Sequence, residues 1–254
     1  MVDYNEKNRS DPIYFKTEGI VFMRESNIKI LAYEVTSLGP LCLRRRELLS
    51  QPGTVVTEVT LNHEFLMSSY NTASERALAS QALEMVKGRD LQVLVGGLGL
   101  GYTAAEVLAS DRVGNVEVVE FLPQVIDWFD QELIPLAGSL KRDSRLLVSQ
   151  GDMYKRLMDL PHKQYDVILI DVDHSPDDHL GGDNDLFYKE GGLEATRKHL
   201  VKDGILGVWS YAENLPFSAV LRNVFGEILI KPVTFTNVLV NDKSFTDWLF
   251  FARA

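Results

Sequence analysis

The stretch LQVLVGGLGLGYTAAEVLAS (91–110) passes from an unbroken apolar run through a cluster of glycines into a segment with helical spacing. A short apolar run that ends on glycine reads as a strand buried on both faces. Gly96, Gly97, Gly99 and Gly101 let backbone N–H groups approach a ligand closely at positive φ, and the helix start behind them favours an anion. Gly97-x-Gly99-x-Gly101 followed by Tyr102 departs from the dinucleotide fingerprint, whose third small residue falls one position later. Taken alone, the loop is either a nucleotide site built on Gly97, Gly99 and Gly101 or a tight structural turn.

Downstream, strand-like and helix-like segments alternate with short connections, the pattern of a mostly parallel sheet covered on both faces. NVEVVEF, SRLLVSQGD, YDVILIDVD and GILGVWSYA read as strands. PQVIDWFDQEL, a short segment at YKRLMDL, LFYKEGGLEATRKHLV and FSAVLRNVF read as helices. EILIKPVTFTN and SFTDWLFFARA, separated by a polar turn at Asn241 to Lys243, close the chain as an antiparallel hairpin. Upstream, GIVFMRES, NIKILAYEVT, GPLCLRRREL and TVVTEVTLNHEFLMSS are rich in β-branched residues and form a small antiparallel sheet. A helix begins at Ala73 and stops at Gly88. The expected organisation is an α/β chain with a β-region at 1–70 and a Rossmann-like nucleotide-binding domain at 71–254.

Three acidic residues stand at the carboxyl ends of successive expected strands: Glu120, Asp152 and Asp171. Ligands of open α/β sheets bind at that edge, so these carboxylates and the glycine loop line one crevice. Each is also explicable as a helix cap or turn residue. The net charge of −10 argues against nucleic acid, which needs clustered Lys and Arg. That acidity suits either a cationic small substrate or simple solubility. No run approaches the ~20 apolar residues of a membrane span. One cysteine, Cys42, and an N-terminus without an apolar run point to the cytoplasm.

Taken in order, VLVGGLGLG, VEVVEF, SQGDMYKRL, YDVILIDVDHSP and LFYKEGGL resemble the spermidine synthase (polyamine aminopropyltransferase) family, across about residues 40–215. The resemblance implies a class I methyltransferase fold with S-adenosylmethionine or its decarboxylated form as co-substrate and no metal. It also implies a small cationic amine acceptor and a homodimer. Glu120 would hold the ribose, and Asp152 with Met153 the adenine. Asp171 would orient and deprotonate the amine, with Asp173 second in that role, and His174 to Leu186 would gate the substrate. Glu75 would contact the acceptor; apart from the resemblance, Tyr211, at the end of the expected strand GILGVWSYA, is placed to flank the accepting group or stack on a cationic substrate.

The family carries an aspartate in the glycine loop where this chain is matched by Leu100, Asp171 and His174 replace its paired aspartates, and Ser74-Glu75 stands in place of its Tyr-Gln pair. Like charges ~4 Å apart repel by about 4 kcal/mol at an intermediate dielectric, so losing the loop aspartate lowers the barrier to intact S-adenosylmethionine. The expected activity is therefore an S-adenosylmethionine-type transferase with methyl transfer slightly ahead and aminopropyl transfer as the alternative. A catalytically silent nucleotide-binding protein is a further reading, and an NAD-dependent oxidoreductase is disfavoured by Tyr102.

Overall fold

Alternating side chains of the central strands explain the layers of this computed structural model, which describes residues 13–17, 20–24, 27–180, 186–237 and 243–254. In β7 (Leu91–Gly96), Val93 and Val95 enter one apolar cluster while Leu94 enters another on the opposite face. The same division holds in β10 (Tyr165–Ile170), where Val167 and Leu169 face one way and Ile168 and Ile170 the other. A period of two with both faces apolar requires cover on both sides. Helices α1 (Ala73–Met85), α2 (Tyr102–Leu108) and α3 (Pro123–Asp130) supply residues to the first cluster. Helices α5 (Met153–Met158), α6 (Glu190–Lys198) and α7 (Leu215–Phe225) supply the second.

Among the described residues the main sheet has seven strands, in the order β12-β13-β11-β10-β7-β8-β9, with β8 at Val113–Glu120, β9 at Leu146–Gln150, β11 at Leu200–Ser210, β12 at Ile228–Asn237 and β13 at Lys243–Arg253. Strands β7 to β11 pair in parallel, while β13 pairs antiparallel with both β11 and β12. The chain leaves β7 toward β8 and β9, then returns to place β10 on the other side. This reversal opens a crevice at the carboxyl edge between β7 and β10.

Ahead of it, β3 (Ile28–Thr36), β4 (Gly39–Glu47), β5 (Val55–Leu61) and β6 (Glu64–Ser68) form a separate antiparallel sheet, and β1 (Ile13–Thr17) pairs with β2 (Ile20–Arg24). The run expected as one strand over 54–69 is a hairpin, because Asn62 and His63 adopt φ of 51° and 68°, the two-residue turn that matches strand twist. The helix expected over 123–133 ends at Asp130, since Glu132 takes a left-handed φ of 58°. The helix expected from Leu186 starts at Glu190, and a short α4 (Ala137–Leu140) was not legible. Residues 181–185 of the expected gate, including Asp183 and Asp185, lie outside the described residues, as do 241 and 242 of the expected turn and the N-terminal residues 1–12.

Helix α1 reaches over the crevice. Its Leu78, Ala79, Ala82 and Leu83 are buried against α2, β11 and β13, which fixes the first turn of α1 over the open edge of the sheet. Truncating Leu78, fully buried, to alanine would cost ~2–5 kcal/mol and loosen that placement. Among the described residues no helix is long and apolar enough to cross a membrane.

Candidate functional site

A cleft of ≈ 950 Å³ lies at the carboxyl edge of the sheet, lined by the glycine loop, the ends of β8 and β10, the first turn of α1, and Phe65, Leu66 and Met67 of the N-terminal sheet. The loop is shaped by its glycines. Gly97 sits at φ 90°, and a Cβ there would collide with the carbonyl oxygen of Asp171, so the loop and the end of β10 meet only because the side chain is missing.

At one end of the cleft, the Glu120 carboxylate accepts from the N–H of Leu98 and of Leu122, each at 2.8 Å. Burial pushes its pKa up, and the N–H groups of Leu122, Leu98, Gly99 and Phe121 pull it back. Glu120 therefore both braces the glycine loop and faces the cleft. Asp152 caps α5, accepting from Lys155 N–H at 3.0 Å through Oδ1, and is otherwise exposed. Met153 is buried beneath the loop, where a Cβ on Gly96 would lie 2.7 Å from its Cγ. Leu100 is 4% exposed and belongs to the apolar cluster that includes α1 and α2.

At the other end, three carboxylates meet from three separate elements. Asp171 follows β10 and accepts from the Thr103 hydroxyl at 2.6 Å. Glu75 lies in the first turn of α1. Asp247, from β13, accepts from the Ser74 hydroxyl at 2.6 Å, and the same hydroxyl lies 3.2 Å from Glu75 Oε2. Burial pushes Asp171 up to about 6; the Thr103 hydroxyl opposes this, and the charge of Asp247 adds to it. Burial, then the charge of Asp171, raises Glu75 to about 8, against the pull of its own backbone N–H and the Ser74 hydroxyl, with Asp247 adding to the rise. Asp247 is also raised, by burial, against Ser74 and Trp209. The Trp209 indole N–H is buried beside this group and lies outside hydrogen-bond geometry.

Asp173 is held differently. Its Oδ2 accepts from Tyr154 at 2.7 Å and Tyr188 at 3.0 Å, and its Oδ1 accepts from Leu180 N–H at 2.9 Å. It anchors the start of the following loop. Burial drives both tyrosines well above their ordinary pKa, so the hydroxyls stay protonated and keep donating. Tyr211 lies at the rim, half exposed, donating to Asp178 at 3.2 Å, with its ring edge toward His174.

The structure thus brings Gly97, Gly99, Gly101, Glu120, Asp152, Met153, Glu75, Asp171, Asp173 and Tyr211 to one cleft. Sequence reading passed over Ser74, Thr103 and Asp247 as site residues. Asp247 was hidden by strand direction. On an antiparallel strand the same sheet edge is reached before the strand's carboxyl end, so a search of strand ends does not find it.

A family model described as the spermine/spermidine synthase domain matches residues 73–216, more than half of the chain. A polyamine aminopropyltransferase of Prochlorococcus marinus subsp. pastoris is 30% identical over 133 residues, covering 52% of this chain and 45% of that protein. Polyamine aminopropyltransferase 2 of Streptomyces coelicolor is 34% identical over 124 residues, covering 48% of this chain and 22% of that protein. The match spans less than half the length of each curated relative. A spermidine synthase crystallised with the transition-state analogue AdoDATO shares the fold at a TM-score of 0.70 and 16% identity, over 97% of this chain and 83% of that one. The spermidine synthase of Thermotoga maritima does so at 0.67 and 15%, over 97% and 82%. These matches give no support to the expected lead of methyl transfer and favour its alternative.

Proposed function

This chain belongs to the spermine/spermidine synthase family, and on that premise we propose that it transfers an aminopropyl group from decarboxylated S-adenosylmethionine to a small amine. The observation that carries the reading is the carboxylate group Glu75, Asp171 and Asp247 beside the glycine loop, with no Lys, Arg or His paired to it among the described residues. Intact S-adenosylmethionine would bring a further carboxylate to this cleft, whereas the decarboxylated donor and an amine acceptor bring only positive charge. Leu100, the basis for favouring methyl transfer, lines the cleft while packed in the apolar cluster and brings no charge to it, so in this reading discrimination between donors rests on these carboxylates.

In the proposed arrangement Glu120 takes the ribose hydroxyls, and Asp152 and Met153 the adenine, over Gly97, Gly99 and Gly101. Asp171 accepts the proton from the attacking amine. The freed lone pair bonds to the methylene next to the sulfonium, the C–S bond breaks toward sulfur, and neutral methylthioadenosine leaves without an acid. An alkylammonium with pKa ~10.4 costs roughly 4–5 kcal/mol to deprotonate at pH 7, so a carboxylate already raised toward neutrality is a better proton acceptor than an ordinary one. Asp173 acts as a positioning residue through its three hydrogen bonds, and Tyr211 flanks the acceptor. The catalytic unit is 71–254, with the β-region of 1–70 closing one wall; the proposed setting is a cytoplasmic homodimer.

The test is product analysis by mass spectrometry, with decarboxylated and intact S-adenosylmethionine each offered alongside a panel of mono-, di- and triamines. Methylthioadenosine and an aminopropylated amine from the decarboxylated donor support the reading. Methylated amine from the intact donor, with no aminopropyl product, would restore the methyl-transfer reading.

A further inference from the structure

We infer that the acceptor carries a carboxylate away from its reacting amine and that Arg44 and Arg46 bind it, an inference that rests on the aminopropyl-transfer reading above. The two arginines stand two residues apart on β4 and so share one face of the N-terminal sheet. Glu58 of β5, opposite Arg44 in the register, pairs with both: its Oε2 accepts from Arg44 Nε at 3.0 Å and its Oε1 from Arg46 Nε at 2.8 Å. The Glu58 side chain is only 2% exposed, whereas both arginines stay partly open and line the same cleft as the glycine loop. They are the only Lys or Arg side chains among the described lining residues.

One arginine would neutralise Glu58, so the second leaves this wall with a net positive charge. Among the described residues Glu58 meets Arg44 through Nε and Nη2 and Arg46 through Nε, which leaves Nη1 of Arg44 and both Nη atoms of Arg46 to donate to a ligand. Paired guanidinium donors held by a buried carboxylate suit a planar oxyanion. The cleft reaches them by passing round β6, the edge strand of the sheet. Met67 meets the glycine loop, where a Cβ on Gly99 would lie 3.2 Å from its Sδ, and Ser68, turned to the other face, is the register partner of Glu58. Strands lie about 4.8 Å apart, so Arg44 on β4 stands roughly 10 Å beyond Ser68. Leu61, Phe65 and Leu66 line the same wall. The ligand that fits is elongated, with an amine at Asp171, an apolar stem and a carboxylate at the arginines. A polyamine long enough to reach β4 would instead set an ammonium against two guanidinium groups.

The experiment titrates ω-amino acids of roughly four to twelve carbons, each beside its primary amide, into the methylthioadenosine-loaded protein by calorimetry, and assays the same compounds for aminopropyl transfer. Acid and amide share amine and stem and differ in the charge at the far end. Over the lengths that reach β4, the acid is expected to bind at least tenfold more tightly than its amide. Replacing the ion-paired group as a unit, Arg44→Met, Arg46→Met and Glu58→Gln together, leaves no buried charge without a partner and should bring each acid to the affinity of its amide, with methylthioadenosine binding as the check on the cleft. Amides that bind as well as acids at every length, a wild-type protein that binds neither series, or an acid preference that survives the triple change would overturn the assignment. Should the triple variant fail to fold, Glu58→Gln alone keeps both arginines and removes the charge paired with them; the acid-over-amide ratio should rise, and an unchanged or lower ratio counts against the proposal. An acid preference carried by the arginines without aminopropyl product would remove the activity reading and leave an anion site. Aminopropylated polyamines without any acid preference would keep the activity reading and remove this inference.

Discussion

At the proposed nucleotide end of the cleft, carboxylates are met by the backbone: buried Glu120 accepts from Leu98 and Leu122, and exposed Asp152 from Lys155. At the proposed acceptor end, Asp247 and Glu75 lie beside the Ser74 hydroxyl and Asp171 accepts from that of Thr103, and each is pushed up in pKa by burial. One end is assembled before any ligand arrives. The other holds charge that a cation would complete, and its groups can exchange protons near neutral pH. Burying a carboxylate without a charged partner is costly at either end, but Glu120 is met by several backbone N–H groups, so the acceptor end is the less compensated half and the one poised for chemistry.

Four experiments put this contrast at risk. The largest effect is expected from Asp171→Asn, which should lower kcat by ~10²–10⁴ while leaving methylthioadenosine affinity within about threefold; a matching loss of nucleotide binding would show that the two ends are not separate. Leu100→Asp places a charge in the apolar cluster and should cost about 3 kcal/mol or more, read as a large fall in Tm. A folded Leu100→Asp protein with wild-type Tm and stronger rejection of intact S-adenosylmethionine would move donor discrimination from the carboxylates to the loop.

Glu120→Ala removes the brace of the glycine loop and should weaken methylthioadenosine about 10–100-fold, with the KM of the amine little changed. The smallest effect concerns pH. Glu75 at about 8 in the folded protein binds a proton that the unfolded chain releases near its ordinary value of 4.5, so stability falls as pH rises between those values. Asp171, at about 6, adds to the fall over the lower part of the range. Ligand-free Glu75→Gln should therefore be more stable than wild type at pH 8–9 by about 1–2 kcal/mol and indistinguishable near pH 4, in thermal melts across that range. Parallel pH profiles for the two proteins would mean that Glu75 is ionised in the resting cleft.

That the parts of the proposed nucleotide end share one cleft was largely legible because they are local. Gly97, Gly99 and Gly101 lie within five residues of one another, and Glu120 and Asp152 each follow a recognisable apolar strand. The acceptor end was legible only in pieces. Asp171 could be placed from the end of β10, and Glu75 from the family resemblance, but neither could be joined to Asp247. Asp173 read as a second candidate base, and only its bonds to Tyr154, Tyr188 and Leu180 show how fully its oxygens are engaged. The weight placed on Leu100 came from its position in the loop, and its side chain both lines the cleft and packs in the apolar cluster.

The sequence by itself determined the α/β architecture, the closing antiparallel hairpin, the glycine loop and the acidic strand ends, since hydrophobic period and glycine punctuation report on backbone form over a few residues. Tertiary structure alone decided that Ser74 on α1 meets Asp247 on β13, 173 positions away, and that Asp247 stands near Asp171. Those contacts depend on how a helix seats on a sheet and on the antiparallel course of one strand, neither of which leaves a mark at the residues that meet.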